Sequence, residues 1–396
     1  MWEHIKKNNM TTPTKKKRVL VTYIEAGFGH ITTANSIADA IEALHDPNIE
    51  VIRKYMFSED PTLRKAEKRL IKDVKIANMF PWYNRIQMAA THILGIHNSL
   101  PFVVSTVWRR MRDCYLKELE KIRPDIIIDT HYLTSFYATQ YRDKIDPHVK
   151  VVTYNPDNNV HNWWNLRVDK FIVNCRMGFD DALKHDFDRK KLMIVPFVTR
   201  KEIIAVTEDK SYYRTKYNLP QDRFVVMVAA GGYGKSGMNR VIKALMKVKQ
   251  PITVLAICGT NKSLYNKLQL LKENTPANID LRPYEFVNTV YELNRAADMF
   301  LTKGGPNAML DSALMGVPVG VFYCASHIEY MSALLFTYIL NCGRFLPRAN
   351  QIVEWVNSCA GDPTILDFFV GNTKSVRAAG NGADNIAKFI QSYDVE

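Results

Sequence analysis

Three glycine turns hold the residues of this chain whose types and spacing suit chemistry. The first, Ala26-Gly27-Phe28-Gly29-His30, follows the apolar run Val19–Ile24. Ala34, Ile37, Ala38, Ile41 and Leu44 then recur at helical spacing. The second, Gly231-Gly232-Tyr233-Gly234-Lys235-Ser236, follows Phe224–Val228 and precedes Met238, Val241, Ile242 and Leu245 at the same spacing. The third, Thr302-Lys303-Gly304-Gly305, leads into a helix expected to start near Pro306 or Asn307. A strand feeding bare backbone and a helix N-terminus aims N–H groups and the positive end of the helix dipole at an anion. Gly231, Gly232, Gly234, Lys235 and Ser236, with Thr302, Lys303, Gly304 and Gly305, therefore form a candidate diphosphate cradle. Asp311, one turn into the third helix, can take two ribose hydroxyls; its ordinary reading is a plain acidic residue near a helix start. His30 brings a titratable imidazole to the first turn, where capping or anion contact is the ordinary role.

The stretch Ala229–Ser236 also fits a relaxed P-loop with alanine for the first glycine. A nucleotide triphosphatase does not follow from it. The motif opens a second domain, and no later apolar strand ends in a convincing acidic ligand for magnesium.

The turns need elements to hold them. Apolar runs at Ile126–Ile128, Val149–Thr153, Phe171–Val173 and Leu192–Val195 read as buried strands, as do Ile252–Cys258, Asp298–Thr302 and Val317–Phe322. Strands alternating with helical patterns predict an α/β chain of two Rossmann-like domains, each a doubly wound parallel sheet, facing a central cleft. The expected division is a basic tail over 1–17, a first domain over 18–199, a second over 200–372 and a C-terminal helix over 373–396. Polar and turn-forming residues over 197–223 mark the linker.

A formal net charge of +13 over 396 residues points to an anionic partner. Lys15-Lys16-Lys17-Arg18 accounts for part of the excess and is no argument for nucleic acid. Between 55 and 118 the rhythm changes. Arg64, Lys68 and Lys72 share a helical pattern with Leu63, Leu70 and Ile71, then Trp82 and Tyr83 follow, and Trp108 precedes Arg109 and Arg110. Basic helices flanked by large aromatics suit an anionic membrane surface; a helical insertion with a solvated basic face is the alternative. Six scattered cysteines without a CxxC pair indicate reduced thiols rather than a disulfide framework or zinc site. No apolar run approaches a membrane span, and no signal peptide is evident. The expected location is the cytoplasmic side, peripheral to a membrane.

Taken together, these motifs resemble family 28 glycosyltransferases of the GT-B fold, in the branch of monogalactosyldiacylglycerol synthase and processive diacylglycerol glucosyltransferase. The resemblance runs from Arg18 to about Phe389. It is carried by Ala26–His30 with Thr33-Ala34, Arg123–His131, Thr153–Asp157 with His161–Trp164, Gly231–Gly234, and Ala297–Gly305 through Asp311–Pro318. Three departures stand out: Asp311 where the family usually has glutamate, Phe28 where the backbone is often bare, and Ser326–Met331 in place of a Gly-Gln-Glu stretch near the sugar.

The resemblance implies inverting transfer of galactose or glucose from a UDP-sugar to diacylglycerol or a related lipid, with no metal or other cofactor. It implies His30 as general base, since an imidazole with a pKa of about 6.5 suits proton abstraction near neutrality. Asp157 and His161 become auxiliary or acceptor-side groups, Gly27, Phe28 and Gly29 an acceptor loop, and Phe286 a neighbour of uracil. Three alternatives stay open: a polyprenyl-diphosphate sugar as acceptor, a UDP-sugar epimerase, and a non-catalytic UDP- or lipid-binding relative.

Overall fold

The computed structural model describes residues 16–24, 28–56, 109–231 and 237–394, with Phe28 as backbone alone. Two six-stranded sheets organise them, every pairing parallel. The first comprises β1 (Lys17–Tyr23), β2 (Ile49–Tyr55), β3 (Ile126–Asp129), β4 (Lys150–Tyr154), β5 (Lys170–Val173) and β6 (Leu192–Ile194), in the order β2-β1-β3-β4-β5-β6. The second comprises β7 (Phe224–Ala229), β8 (Ile252–Ile257), β9 (Ile279–Tyr284), β10 (Met299–Lys303), β11 (Val319–Tyr323) and β12 (Gly343–Phe345), in the order β12-β11-β10-β7-β8-β9.

The topology explains why the glycine turns matter. In each sheet the chain builds outward from one strand, then crosses back to that strand's other side. The reversal falls between β1 and β3 in the first sheet and between β7 and β10 in the second. A crevice opens beyond the strand ends at such a switch point. His30 follows β1 and Thr130-His131 follows β3; Gly231 follows β7 and Lys303-Gly304 follows β10. All the sequence-marked turns thus lie at the two switch points.

Strands covered by helices on both faces are continuously apolar. In the first domain Leu20 and Ile127 join Tyr115, Tyr137 and Trp164 on one side. Val19, Val21, Ile126 and Ile128 pack on the other side with Ile37 and Ile41 of the helix Phe28–Glu42. Ile386 and Ile390 complete that layer from the last helix, Gly382–Ser392. The chain therefore ends in the domain where it began. Its two crossings are tied together: Thr199 N–H donates to Asn381 Oδ1 at 3.1 Å and Asn381 Nδ2 donates to the Thr199 carbonyl at 3.1 Å. Gly382 N–H donates to the Phe197 carbonyl at 3.0 Å. A Cβ on Gly382 would stand 1.9 Å from the Pro196 carbonyl oxygen, so only glycine fits this junction.

Some bounds differ from the sequence expectation. The helix Asp367–Ala378 spans the expected 372/373 division, and the final helix begins at Gly382. The segment 197–223 is more than a linker, because Ile203, Val206, Tyr213 and Leu219 are buried in the second domain's core. β2, β9 and β12 carry too many polar residues, or are too short, to stand out as apolar runs. The tail through 15 lies outside the described residues. So do Arg64, Lys68, Lys72, Trp82, Tyr83 and Trp108 of the basic-aromatic stretch. Among the described residues no helix is long and apolar enough to cross a membrane.

Candidate functional site

His30 lies in the first turn of the helix Phe28–Glu42. Its Nδ1 is 2.6 Å from the Thr130 carbonyl oxygen, and the Thr130 hydroxyl donates back to the His30 carbonyl at 3.2 Å. A carbonyl only accepts, so Nδ1 carries the hydrogen of this bond and Nε2 keeps its lone pair. The switch-point loop after β3 therefore sets both the tautomer and the ring plane.

An aromatic wall continues from there. The His131 ring meets His30 edge-on at 4.9 Å and lies tilted against Tyr132 at 4.3 Å. Tyr132 in turn contacts His161, Trp163 and Trp164 at 5.7, 5.6 and 6.2 Å. Each histidine also serves the backbone: His131 Nδ1 accepts from Leu133 N–H and His161 Nδ1 from Trp163 N–H, both at 3.2 Å. Burial drives His161 down to about 3 and holds His131 well below the ordinary imidazole value, with His30's charge adding to both effects. These rings stay neutral where a general base must titrate. Asp157 shares the neighbourhood. Burial raises its carboxyl above the ordinary value and the charge of His30 opposes that, while its N–H donates to Asn155 Oδ1 at 2.9 Å.

The opposite wall belongs to the second domain. A cavity of about 680 Å³, counted to its open mouth, is lined by Gly231, Phe286, Tyr291, Thr302, Ala308 and Asp311 among others. Phe286 is 62% exposed at the rim. Thr302 is fully buried, and its hydroxyl has no hydrogen-bond partner among the described residues. Asp311 is joined by Arg200, Nη2 to Oδ2 at 3.0 Å. Burial pushes the Asp311 carboxyl up to about 6, with Arg200 pulling the other way.

Lys303 is already engaged. Its ammonium is bonded to Glu329, whose second carboxylate oxygen accepts from Ala325 N–H at 2.8 Å. Ser326 caps the helix His327–Leu334, which carries Glu329, by accepting from Glu329 N–H at 3.2 Å. The Lys303 stem lies across the left-handed Gly231, where a Cβ would stand 3.2 Å from Cε. Lys303 thus bridges two glycine turns rather than projecting a free charge. Gly304 is obligatory, since a Cβ there would stand 2.6 Å from the Glu329 carbonyl oxygen.

The two walls meet. A Cβ on Gly29 would be only 3.2 Å from Asn307 Nδ2, so the His30 helix start abuts the start of the helix Pro306–Leu314. The structure thereby brings together His30, Asp157 and His161 on one side of the cleft. Thr302, Lys303, Gly304, Gly305 and Asp311 face them with Gly231 and Phe286. Gly27, Gly232, Gly234, Lys235 and Ser236, and the side chain of Phe28, lie outside the described residues. Sequence reasoning passed over Arg200 and Tyr291, whose cation–π contact at 6.0 Å belongs to no local motif. It quoted His131, Trp163 and Trp164 without assigning them a role. Among the described residues no group of His, Cys, Asp and Glu is arranged to hold a metal ion.

Two parallel doubly wound sheets with facing switch points define a GT-B architecture. Solved structures agree on that fold. MurG of Acinetobacter baumannii superimposes with a TM-score of 0.62 at 13% identity, over 95% of this chain and all of that one. HepE of Anabaena in complex with UDP-glucose gives 0.55 at 11% identity, over 94% and 98%. The chain matches no protein-family model. Along nearly its whole length it is homologous to lipid hexosyltransferases. It is 22% identical over 381 residues to the processive diacylglycerol beta-glucosyltransferase of Bacillus licheniformis, covering 96% of each chain. It is 23% identical over 360 residues to the probable chloroplastic monogalactosyldiacylglycerol synthase of Glycine max, covering 86% of this chain and 65% of that one.

Proposed function

We propose that this chain is an inverting hexosyltransferase that moves glucose or galactose from a UDP-sugar to diacylglycerol or a closely related membrane lipid. The abutment of Gly29 on Asn307 carries the reading, because it sets His30 beside the helix start that receives the donor's diphosphate. Full-length homology to diacylglycerol glucosyltransferases supports the acceptor class.

In this mechanism His30 Nε2 takes the proton of the lipid hydroxyl as that oxygen attacks the anomeric carbon. The bond from the anomeric carbon to the diphosphate oxygen breaks, and UDP departs. Backbone N–H groups at Gly231 and Gly304-Gly305, with the N-terminus of the helix Pro306–Leu314, meet the developing charge. Asp311 holds the ribose diol, and Phe286 lies by the base. The wall of His131, Tyr132, His161 and Trp163 excludes water beside the nucleophile. No metal is needed, since helix termini supply the electrostatic stabilisation. The basic-aromatic stretch within 55–118 would rest on an anionic membrane and admit the lipid.

The test is incubation with UDP-glucose or UDP-galactose and diacylglycerol in anionic vesicles. Glycolipid is expected with at least one donor, and His30→Ala should lower kcat by roughly 10²–10⁴-fold while UDP still binds. Absence of glycolipid with both donors, or equal turnover by His30→Ala, would reject the proposal. Free sugar and UDP formed without lipid would point to an epimerase, and transfer only to a polyprenyl-diphosphate sugar would redefine the acceptor.

A further inference from the structure

A second cavity, about 710 Å³ to its mouth, opens at the C-terminal end of the helix Pro306–Leu314. This end points away from Gly304-Gly305. Arg295, Lys374 and Arg377 line the cavity together with Gly316, and no carboxylate contributes to its wall. Both guanidiniums are held by main-chain carbonyls. Arg295 donates to Glu208 and Met315 at 3.0 and 2.9 Å. Arg377 donates to Leu314 at 2.8 Å, to Val206 at 2.6 Å and to Ile204 at 3.4 Å. Such bonds fix position without neutralising charge. Among the described residues none of the three cations has an ion pair.

Helix-end carbonyls commonly attract arginine, and that accounts for part of the arrangement. It does not balance it. A helix C-terminus carries roughly half a negative charge and Asp209 acts on Arg295 from outside the cavity wall, against three full positive ones. Burial, then the charge of Arg377, holds the Arg295 guanidinium below its ordinary value, so the two cations oppose each other. Each guanidinium has five donors; Arg295 makes two of these bonds and Arg377 three, so donors remain on both. Gly316, at φ +77°, leaves Arg295 uncovered: a Cβ there would sit 3.4 Å from Nη1.

From this we infer that the cavity is a second anion site, taking a phosphate group between Arg295, Arg377 and Lys374, separate from the donor's diphosphate cradle. Two fixed guanidiniums with donors left over and a flexible ammonium match a tetrahedral dianion, because each directs charge-assisted bonds at its oxygens from a different side. The phosphate is either a soluble ion or the headgroup of an anionic lipid.

Inorganic phosphate titrated into the full chain at constant ionic strength, with saturating UDP filling the donor cradle, tests the site by calorimetry and thermal melting. One saturable binding event is expected, with a rise in melting temperature. Lys374 is exposed and makes no hydrogen bond among the described residues, so Lys374→Glu should fold normally. That variant should bind phosphate at least tenfold more weakly with UDP affinity unchanged. A parallel arm measures sedimentation with phosphatidylcholine vesicles containing phosphatidic acid. Loss of vesicle binding in Lys374→Glu would identify the lipid source, and unchanged vesicle binding with weakened phosphate titration the soluble one. Phosphate behaving as chloride does, or Lys374→Glu titrating as the wild type does, overturns the inference.

Discussion

Arg200, at the start of the second domain, joins the Asp311 carboxylate, Nη2 to Oδ2 at 3.0 Å. Arg200 directly follows the crossing segment that Asn381 ties down, and Asp311 lines the donor cavity. The carboxylate proposed to receive ribose is therefore already paired with a cation. Any donor that takes it also alters a contact next to the interdomain crossing.

Asp311 gives the donor site a pH dependence. Burial raises its carboxyl from 3.8 to about 6. With the folded value above the unfolded one, its contribution to stability is full below about pH 4 and is lost as pH rises through 6. Donor binding runs the opposite way, because the ionised carboxylate accepts both ribose hydroxyls. UDP affinity should weaken as pH falls from 7 to 5, by at most about tenfold per unit. Asp311→Asn should remove the inflection, and Arg200→Ala should move it upward by removing the opposing cation. Calorimetric titration of UDP across this range checks all three; a flat wild-type profile contradicts the assignment.

Glu329 lies in the Ser326–Met331 stretch that departs from the family pattern, and its contacts predict a stability effect. Truncation to alanine strips the Lys303 ammonium of its partner and the buried Ala325 N–H of its acceptor. Glu329→Ala should cost about 2–4 kcal/mol, and Glu329→Gln, which keeps an acceptor, less than half of that. Lys303→Met should lower UDP affinity less than roughly fivefold, since the charge is already spent on Glu329. Urea unfolding and UDP binding separate these outcomes.

What the sequence made legible follows physical lines. Buried parallel strands such as Val225–Val228 and Leu255–Ile257 are apolar throughout, so periodicity finds them, and the glycine turns after β1, β7 and β10 stand out by composition. Edge strand β2, with Glu50, Arg53 and Lys54, and the three-residue β12 lack that signature. The Arg200–Asp311 pair spans 111 residues and the Gly29–Asn307 approach still more, so no local pattern encodes either. The last helix, Gly382–Ser392, was legible as a helix. Its place on the first domain depends on the Asn381–Thr199 crossing, a contact 182 residues apart.

His161 should make the protein acid-sensitive. Its folded value lies near 3 against 6.5 unfolded, because burial disfavours the charged ring. Stability from a depressed histidine is fully present above pH 6.5 and is lost as pH falls toward 3, at up to about 1.4 kcal/mol per unit. His161→Gln removes that titration. The stability difference between wild type and variant, measured by denaturant unfolding, should therefore shrink steadily from pH 7 to pH 5. Buried carboxyls such as Asp129 respond in the opposite sense, but they are common to both proteins and cancel in the comparison. A difference independent of pH would show that His161 titrates freely.

Gly29 tests whether the meeting of the two helix starts sets the reacting distance. An alanine methyl would lie 3.2 Å from Asn307 Nδ2, tighter than ordinary van der Waals contact. Either Asn307 shifts by a few tenths of an ångström or the walls of the cleft part. Displacing the base from the anomeric carbon weakens catalysis, because positioning depends steeply on distance. Gly29→Ala should lower kcat several-fold with UDP affinity nearly unchanged, since no donor-wall residue is altered. Asn307→Ala removes the opposing amide, so the double variant should recover most of the lost kcat. A non-additive cycle of this kind, read from glycolipid formation at saturating donor, locates the effect in that one contact. Additive losses would place the Gly29 defect in the neighbouring turn instead.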